Sequence, residues 1–202
     1  MKLIGRYLSP FVRRVGVTLH HQGIDFEHVP LATMGDDRGR ITAVNPITRV
    51  PALELDDGEV LVDSAAILDH LDALVGPERA LVPAAGAARR QVLKLTALGA
   101  GAAEKAVLTV YEERFRPPEK RHQPWVDMVG GQARDALQRL DSQVAGPWFT
   151  GETLTQADIT AACCMRFISV TNEPLYASLA CPAQSALCER AEALPAFQAT
   201  AP

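Results

Sequence analysis

Two serines in this chain sit where a helix begins, and both have the chemistry to hold an anion. Ser9 precedes Pro10 and the segment Phe11 to His20, in which Phe11, Val12, Val15 and Leu19 recur at helical spacing. Serine is a favoured N-cap and proline suits the first helical position, so Ser9 is expected at a helix N-terminus. A hydroxyl there, with the neighbouring backbone N–H groups, can donate to a negatively charged atom that the helix dipole also favours. A plain cap is the alternative, and one serine can serve as both. Asp63-Ser64 stands in the same relation to Ala65–Leu71, a second helix start.

Other reactive residue types carry less. His20-His21 lacks the i, i+4 spacing of a helical metal pair, and His70 and His122 are solitary, so no metal site is expected. Cys163, Cys164, Cys181 and Cys188 lie late in the chain with no second cluster to complete a zinc site or a disulfide framework. Cys163 and Cys164 read as small buried hydrophobes.

The elements that must position Ser9 and Ser64 follow in order. Lys2–Tyr7 reads as a strand, Phe11–His20 as a helix ended by Gly23, and Phe26–Pro30 as a second strand, which makes a βαβ unit. A polar loop from Thr33 to Arg40 leads to Asn45-Pro46, a third strand to Leu55, the turn Asp57-Gly58, a fourth strand Glu59–Val62 and the helix after Asp63. Gly76-Pro77, Pro83 and Gly86 then mark a boundary beyond which strand signals cease. Helical patterns cover Ala88–Tyr111, Trp125–Val144, Thr155 to about Ser169, and part of Gln184–Glu192. The expected organisation is a domain over 1–77, a linker over 78–86 and an all-helical domain over 87–202.

Twenty basic against 24 acidic residues give a net charge of -4, so no overall positive field attracts nucleic acid or an anionic membrane. No apolar run reaches the roughly 20 residues that span a bilayer, and the first residues enter a polar-interrupted strand instead of a signal peptide. A soluble cytoplasmic protein is expected.

Three landmarks in this order resemble the glutathione transferase superfamily over nearly the whole chain. Tyr7-Leu8-Ser9-Pro10-Phe11 looks like its first loop and helix, and Asn45-Pro46-Ile47-Thr48-Arg49-Val50-Pro51-Ala52-Leu53 looks like its Asn-Pro-x-x-x-Val-Pro-x-Leu segment. Asp63-Ser64-Ala65-Ala66-Ile67 looks like its Glu/Asp-Ser-x-x-Ile segment. The implied fold is α/β plus all-α, a thioredoxin-like βαβ-ββα domain that binds glutathione and a helical domain that shapes a second-substrate site.

The resemblance assigns roles. Glutathione reacts as its thiolate, and a free thiol pKa of about 8.5 leaves little of it ionised at neutral pH. Ser9 is the implied stabiliser of that thiolate, as in the serine classes. Tyr7 is a competitor, read as a strand residue used in packing, and Phe11 is among the implied glutathione-binding residues. Arg13 either adds positive potential there or is a solvated helix-face charge. Pro51 matches the family's cis-proline, so that Val50 pairs with the cysteinyl backbone as an added strand. Ser64 holds the γ-glutamyl carboxylate and Asp63 its ammonium group, or both merely cap. Arg49 faces the glycyl carboxylate or is an exposed loop charge. Leu8, Ala103, Val107, Tyr111 and Phe115 are candidates for the second-substrate pocket, and Thr155 with Asp158 matches the family's structural capping motif.

The implied activity is conjugation of glutathione to small hydrophobic electrophiles in detoxification, by a homodimer and without a metal. Alternatives are a non-catalytic ligand-binding protein, a glutathione-dependent reductase, which the absence of cysteine at position 9 disfavours, and an isomerase, whose Ser-x-Cys/Ser opening Leu8-Ser9-Pro10 does not reproduce. The tail Ala191–Pro202 is poor in apolar residues, so no long lid helix is expected and the site is read as open.

Overall fold

A computed structural model describes all 202 residues and divides them into two compact units, Met1–Ala84 with Glu192–Pro202, and Ala85–Ala191. The first contains a four-stranded sheet of order β2-β1-β3-β4, built from β1 (Lys2–Ile4), β2 (Glu27–Val29), β3 (Ala52–Glu54) and β4 (Val60–Val62). β1 pairs in parallel with β2 and antiparallel with β3, with Leu3 opposite both His28 and Leu53. These strands are shorter than the sequence pattern predicts: β1 ends before Gly5, whose φ is +129°, and β3 begins only at Ala52, after a Val50-Pro51 peptide that is cis.

Side chains alternate across the sheet, as a strand requires. Leu3 and Leu53 pack with Val12, Val15 and Leu19 of α1 (Pro10–His21) and with Ile67, Leu68 and Leu71 of α3 (Ser64–Val75). Ile4 and Ala52 face the other way, onto Leu31 and Ile41. Ile41 belongs to α2 (Arg38–Val44), a helix the sequence pattern does not reveal, since Ile41 is its single buried residue.

After α3 the chain is tied down by the Asp72 carboxylate, which accepts from the Leu81 and Val82 N–H groups and from Gln22 Nε2 at 2.9–3.0 Å. The tail is the main departure from expectation. Residues 192–202, assigned above to the helical domain, belong to the first unit. There α9 (Pro195–Gln198) packs on α1, with Phe197 and Thr200 fully buried.

The second unit is helical: α4 (Gly86–Phe115), α5 (Gln123–Asp141), α6 (Gln156–Thr171), α7 (Glu173–Ala177) and most of α8 (Pro182–Glu192). α4 packs against both α5 and α6, and at Gly99 it lies directly on Thr160 and Ala161, where an added Cβ would come within 3.3 Å of Thr160 Cγ2. α6 is buried along nearly its whole length, which is why its sequence is apolar and small on every side. Cys163, Cys164 and Cys181 are buried, and burial pushes the Cys181 thiol up to about 11. No helix is long and apolar enough to cross a membrane.

Candidate functional site

Ser9 caps α1 in extended conformation (φ -68°, ψ 123°), and its Oγ accepts from the Val12 N–H at a long 3.4 Å. Accepting leaves the hydroxyl proton unspent, so the same group can donate outward. The residue is partly exposed, and no acidic side chain occupies the first turn to neutralise the positive end of the helix.

Gly5 sets what lies beside that helix end. Its φ is +129°, and a Cβ there would come 2.5 Å from Val12 Cγ2 and 2.9 Å from Val50 Cβ. A residue with a side chain would therefore force the start of α1 away from the loop that carries Val50. That loop is organised by Asn45, only 2% exposed, whose Nδ2 donates to the Arg49 C=O at 2.9 Å and whose Oδ1 accepts from the Ile47 N–H at 3.0 Å. It delivers Val50 beside the cis peptide with its N–H and C=O outside the protein's own hydrogen-bond network. Arg49 is exposed.

At the start of α3, Asp63 adopts φ +70° and caps through Oδ1, which accepts from the Ala65 N–H at 2.7 Å. Asp63 is exposed, whereas Ser64 is 4% exposed. Ser64 Oγ accepts from Arg14 Nη2 at 2.6 Å and Nε at 3.1 Å, so a buried guanidinium stands directly behind this helix N-terminus. Cation and dipole add, and the Ser64 N–H remains open. The arrangement suits a carboxylate. The sequence pattern does not single out Arg14, because nothing local distinguishes it from Arg13 beside it.

Arg13 fits neither role expected of it. It is 1% exposed, pairs with both carboxylate oxygens of Glu192 at 2.6 and 2.7 Å, and donates to the Thr200 C=O at 2.9 Å. Its charge is spent on the tail. Tyr7 lies in the turn after β1, not in the strand, and Phe11 is partly exposed with the Arg14 guanidinium 5.9 Å from its ring centroid.

Of the candidates for a second-substrate pocket, Ala103 is 2% exposed and belongs to the core of the helical unit, contrary to expectation. A short side chain facing α4's neighbours has no surface left to offer. Tyr111 and Phe115 are exposed and in ring contact at 5.1 Å, while Leu8 and Val107 are partly buried. Thr155 and Asp158 form a capping box: Asp158 accepts from Thr155 N, Thr155 Oγ1 and Phe149 N at 2.7–2.8 Å with no exposed surface.

Comparison with known proteins gives this geometry its context. Residues 3–79 match the family model described as glutathione S-transferase, N-terminal domain. A zeta-class glutathione S-transferase of Euphorbia esula is 31% identical over 79% of this chain and 72% of its own length. The chain belongs to the glutathione transferase family. A family member from Pseudomonas fluorescens Pf-5, solved with bound glutathione, is 32% identical, covers 100% of this chain and 98% of its own, and superimposes with a TM-score of 0.87. Maleylacetoacetate isomerase of Pseudomonas aeruginosa is 28% identical over 79% of this chain and 77% of its own length. Within the glutathione transferase fold, the thioredoxin-like half carries Ser9, Val50 and Ser64 on the ends of its elements, where a ligand can reach backbone groups that the sheet leaves unpaired.

Proposed function

We propose that this glutathione transferase binds glutathione along the first unit and conjugates its sulfur to small hydrophobic electrophiles. The observation that carries the reading is Ser64 backed by the buried Arg14, a built carboxylate site on the helix that the γ-glutamyl end is expected to reach. Asp63 attracts the ammonium group beside it, Val50 pairs with the cysteinyl backbone, and Arg49 faces the glycyl carboxylate. Ser9 donates to the sulfur and, with the positive end of α1, favours the thiolate. The thiolate forms a bond to the electrophilic carbon, and the leaving group departs with its electron pair. The second substrate meets Leu8, Val107 and Tyr111, and the protein acts as a cytoplasmic homodimer.

Isothermal titration of glutathione into wild type and Ser9→Ala, with thiolate absorbance followed against pH, tests this. Binding by both, with the thiol's pKa lowered only by wild type, is expected; absence of binding to wild type would sink the reading.

A second reading is isomerisation of a cis-alkene by reversible glutathione addition, favoured by the relatives named maleylacetoacetate isomerase. Against it stands the opening Leu8-Ser9-Pro10, which does not reproduce the Ser-x-Cys/Ser pattern of that activity. The thiolate adds to the alkene carbon, the resulting single bond rotates, and elimination returns the same thiolate, so Ser9 has the same task in both. Turnover of a cis-unsaturated dicarbonyl acid without net consumption of glutathione separates the two.

A further inference from the structure

We propose that Tyr7, gripped between His28 and Gly16, is a positioning residue that holds the turn carrying Ser9 at the glutathione sulfur, an inference that rests on the function proposed above. The Tyr7 ring stacks on the His28 imidazole with centroids 3.9 Å apart and planes 12° from parallel. On α1, a Cβ added at Gly16 would lie 2.6 Å from Tyr7 Cε1 and 3.3 Å from Tyr7 Cζ, so the ring rests on bare backbone. Thr200 of the tail borders the same spot, its Cγ2 3.2 Å from that added Cβ.

Each wall of the slot is fixed independently. His28 sits in β2 opposite Leu3, and its Nε2 lies 2.7 Å from the Gly5 C=O, which only accepts, so Nε2 carries the proton. Gly16 lies inside a 12-residue helix, where glycine is less favourable than alanine by about 1 kcal/mol. Helix propensity therefore argues against this glycine, and room for the Tyr7 ring accounts for it. The Gly5–Ser9 stretch is fastened at one end by the Gly5 N–H to the Val29 C=O at 2.9 Å and at the other by the helix. Between them the Ser9 N–H donates to the Arg6 C=O at 3.0 Å, which closes a turn around Tyr7. Arg6 is exposed and held only by a long 3.4 Å bond from its Nε to the Pro30 C=O and a 3.8 Å ion pair with Asp37, whereas the Tyr7 ring is stacked against two walls of the fold.

Gly16→Ala tests this, because alanine favours the helix and its Cβ intrudes first on the ring, at 2.6 Å from Cε1, with Thr200 Cγ2 a looser neighbour at 3.2 Å. The expected result is a folded protein in which the bound glutathione thiol pKa rises by about one unit and kcat falls about tenfold. The KM for glutathione should move less than about twofold, since Val50 and Ser64 are untouched. His28→Leu, which removes the stack and the bond to Gly5 without adding volume, is expected to shift the same quantities the same way. Tyr7→Phe keeps the ring and is expected to match wild type. Wild-type thiol pKa and kcat in folded Gly16→Ala and His28→Leu overturn the positioning role, and loss in Tyr7→Phe equal to that in Gly16→Ala overturns it in favour of a catalytic hydroxyl. A wild type that leaves the bound thiol at its free pKa overturns the glutathione reading as well, which separates the two failures.

Discussion

The helix starts at Ser9 and at Thr155 use the same residue chemistry to opposite ends. At Thr155 the cap is closed: Asp158 is sealed from solvent and takes three hydrogen bonds of 2.7–2.8 Å, two from Thr155 and one from the Phe149 N–H. At Ser9 a single 3.4 Å contact does the capping, the first turn holds no carboxylate, and the group stays partly exposed. A cap that satisfies the helix completely contributes stability and leaves nothing for a ligand, whereas an incomplete cap keeps its positive end available. The start of α3 divides the two tasks, Asp63 capping while Ser64, bonded to Arg14, keeps its N–H open.

Substitution at each end should separate stability from chemistry. The largest effect is expected for Asp158→Ala, which strands the buried Phe149 and Thr155 N–H groups and should lower unfolding free energy by about 4 kcal/mol in urea titrations. The folded fraction should still ionise bound glutathione as wild type does. Ser9→Ala should do the reverse: kcat about a hundredfold lower, as for loss of one donor to a developing anion, with stability reduced by no more than about 1 kcal/mol. Equal loss of stability in both variants would erase the contrast. Arg14→Met keeps most of the side chain's volume and should weaken glutathione about tenfold, read as KM or by calorimetry, with the bound thiol's pKa unchanged.

The smallest expected effect is a pH dependence. Burial raises the Asp158 carboxyl above its ordinary value of 3.8 despite its donors. Between that value and the higher folded one the folded chain binds more protons than the unfolded chain, so this contribution falls as pH rises through the window. The stability of wild type relative to Asp158→Asn should accordingly shrink from acid to neutral pH. A gap that widens instead would mean that the three hydrogen bonds outweigh burial.

Legibility in the sequence differed by region. The helix after Ser9 was readable because Phe11, Val12, Val15 and Leu19 recur at helical spacing, and the strand-turn-strand because Asp57-Gly58 marks a tight turn between two apolar runs. α2 was not, because a single buried residue, Ile41, leaves no period to detect. The tail misled for a related reason: its only large apolar residues are Leu194 and Phe197, yet Phe197 and Thr200 are fully buried, and Arg13 adds attachments to Glu192 and to the Thr200 C=O, far along the chain. Ala103 shows the converse error, in which helical spacing identified a face without saying whether solvent or another helix covers it.

The sequence by itself determined the order of the four strands and the main helices, the caps at Ser9, Asp63 and Thr155, and the family, because these depend on local geometry and on short motifs. Only the tertiary structure decided that adjacent arginines part company, Arg14 to Ser64 and Arg13 to the tail, and that the Tyr7 ring lies against Gly16. Consecutive residues on a helix point about 100° apart, so neighbours in sequence acquire different partners from chain segments that no local pattern connects to them.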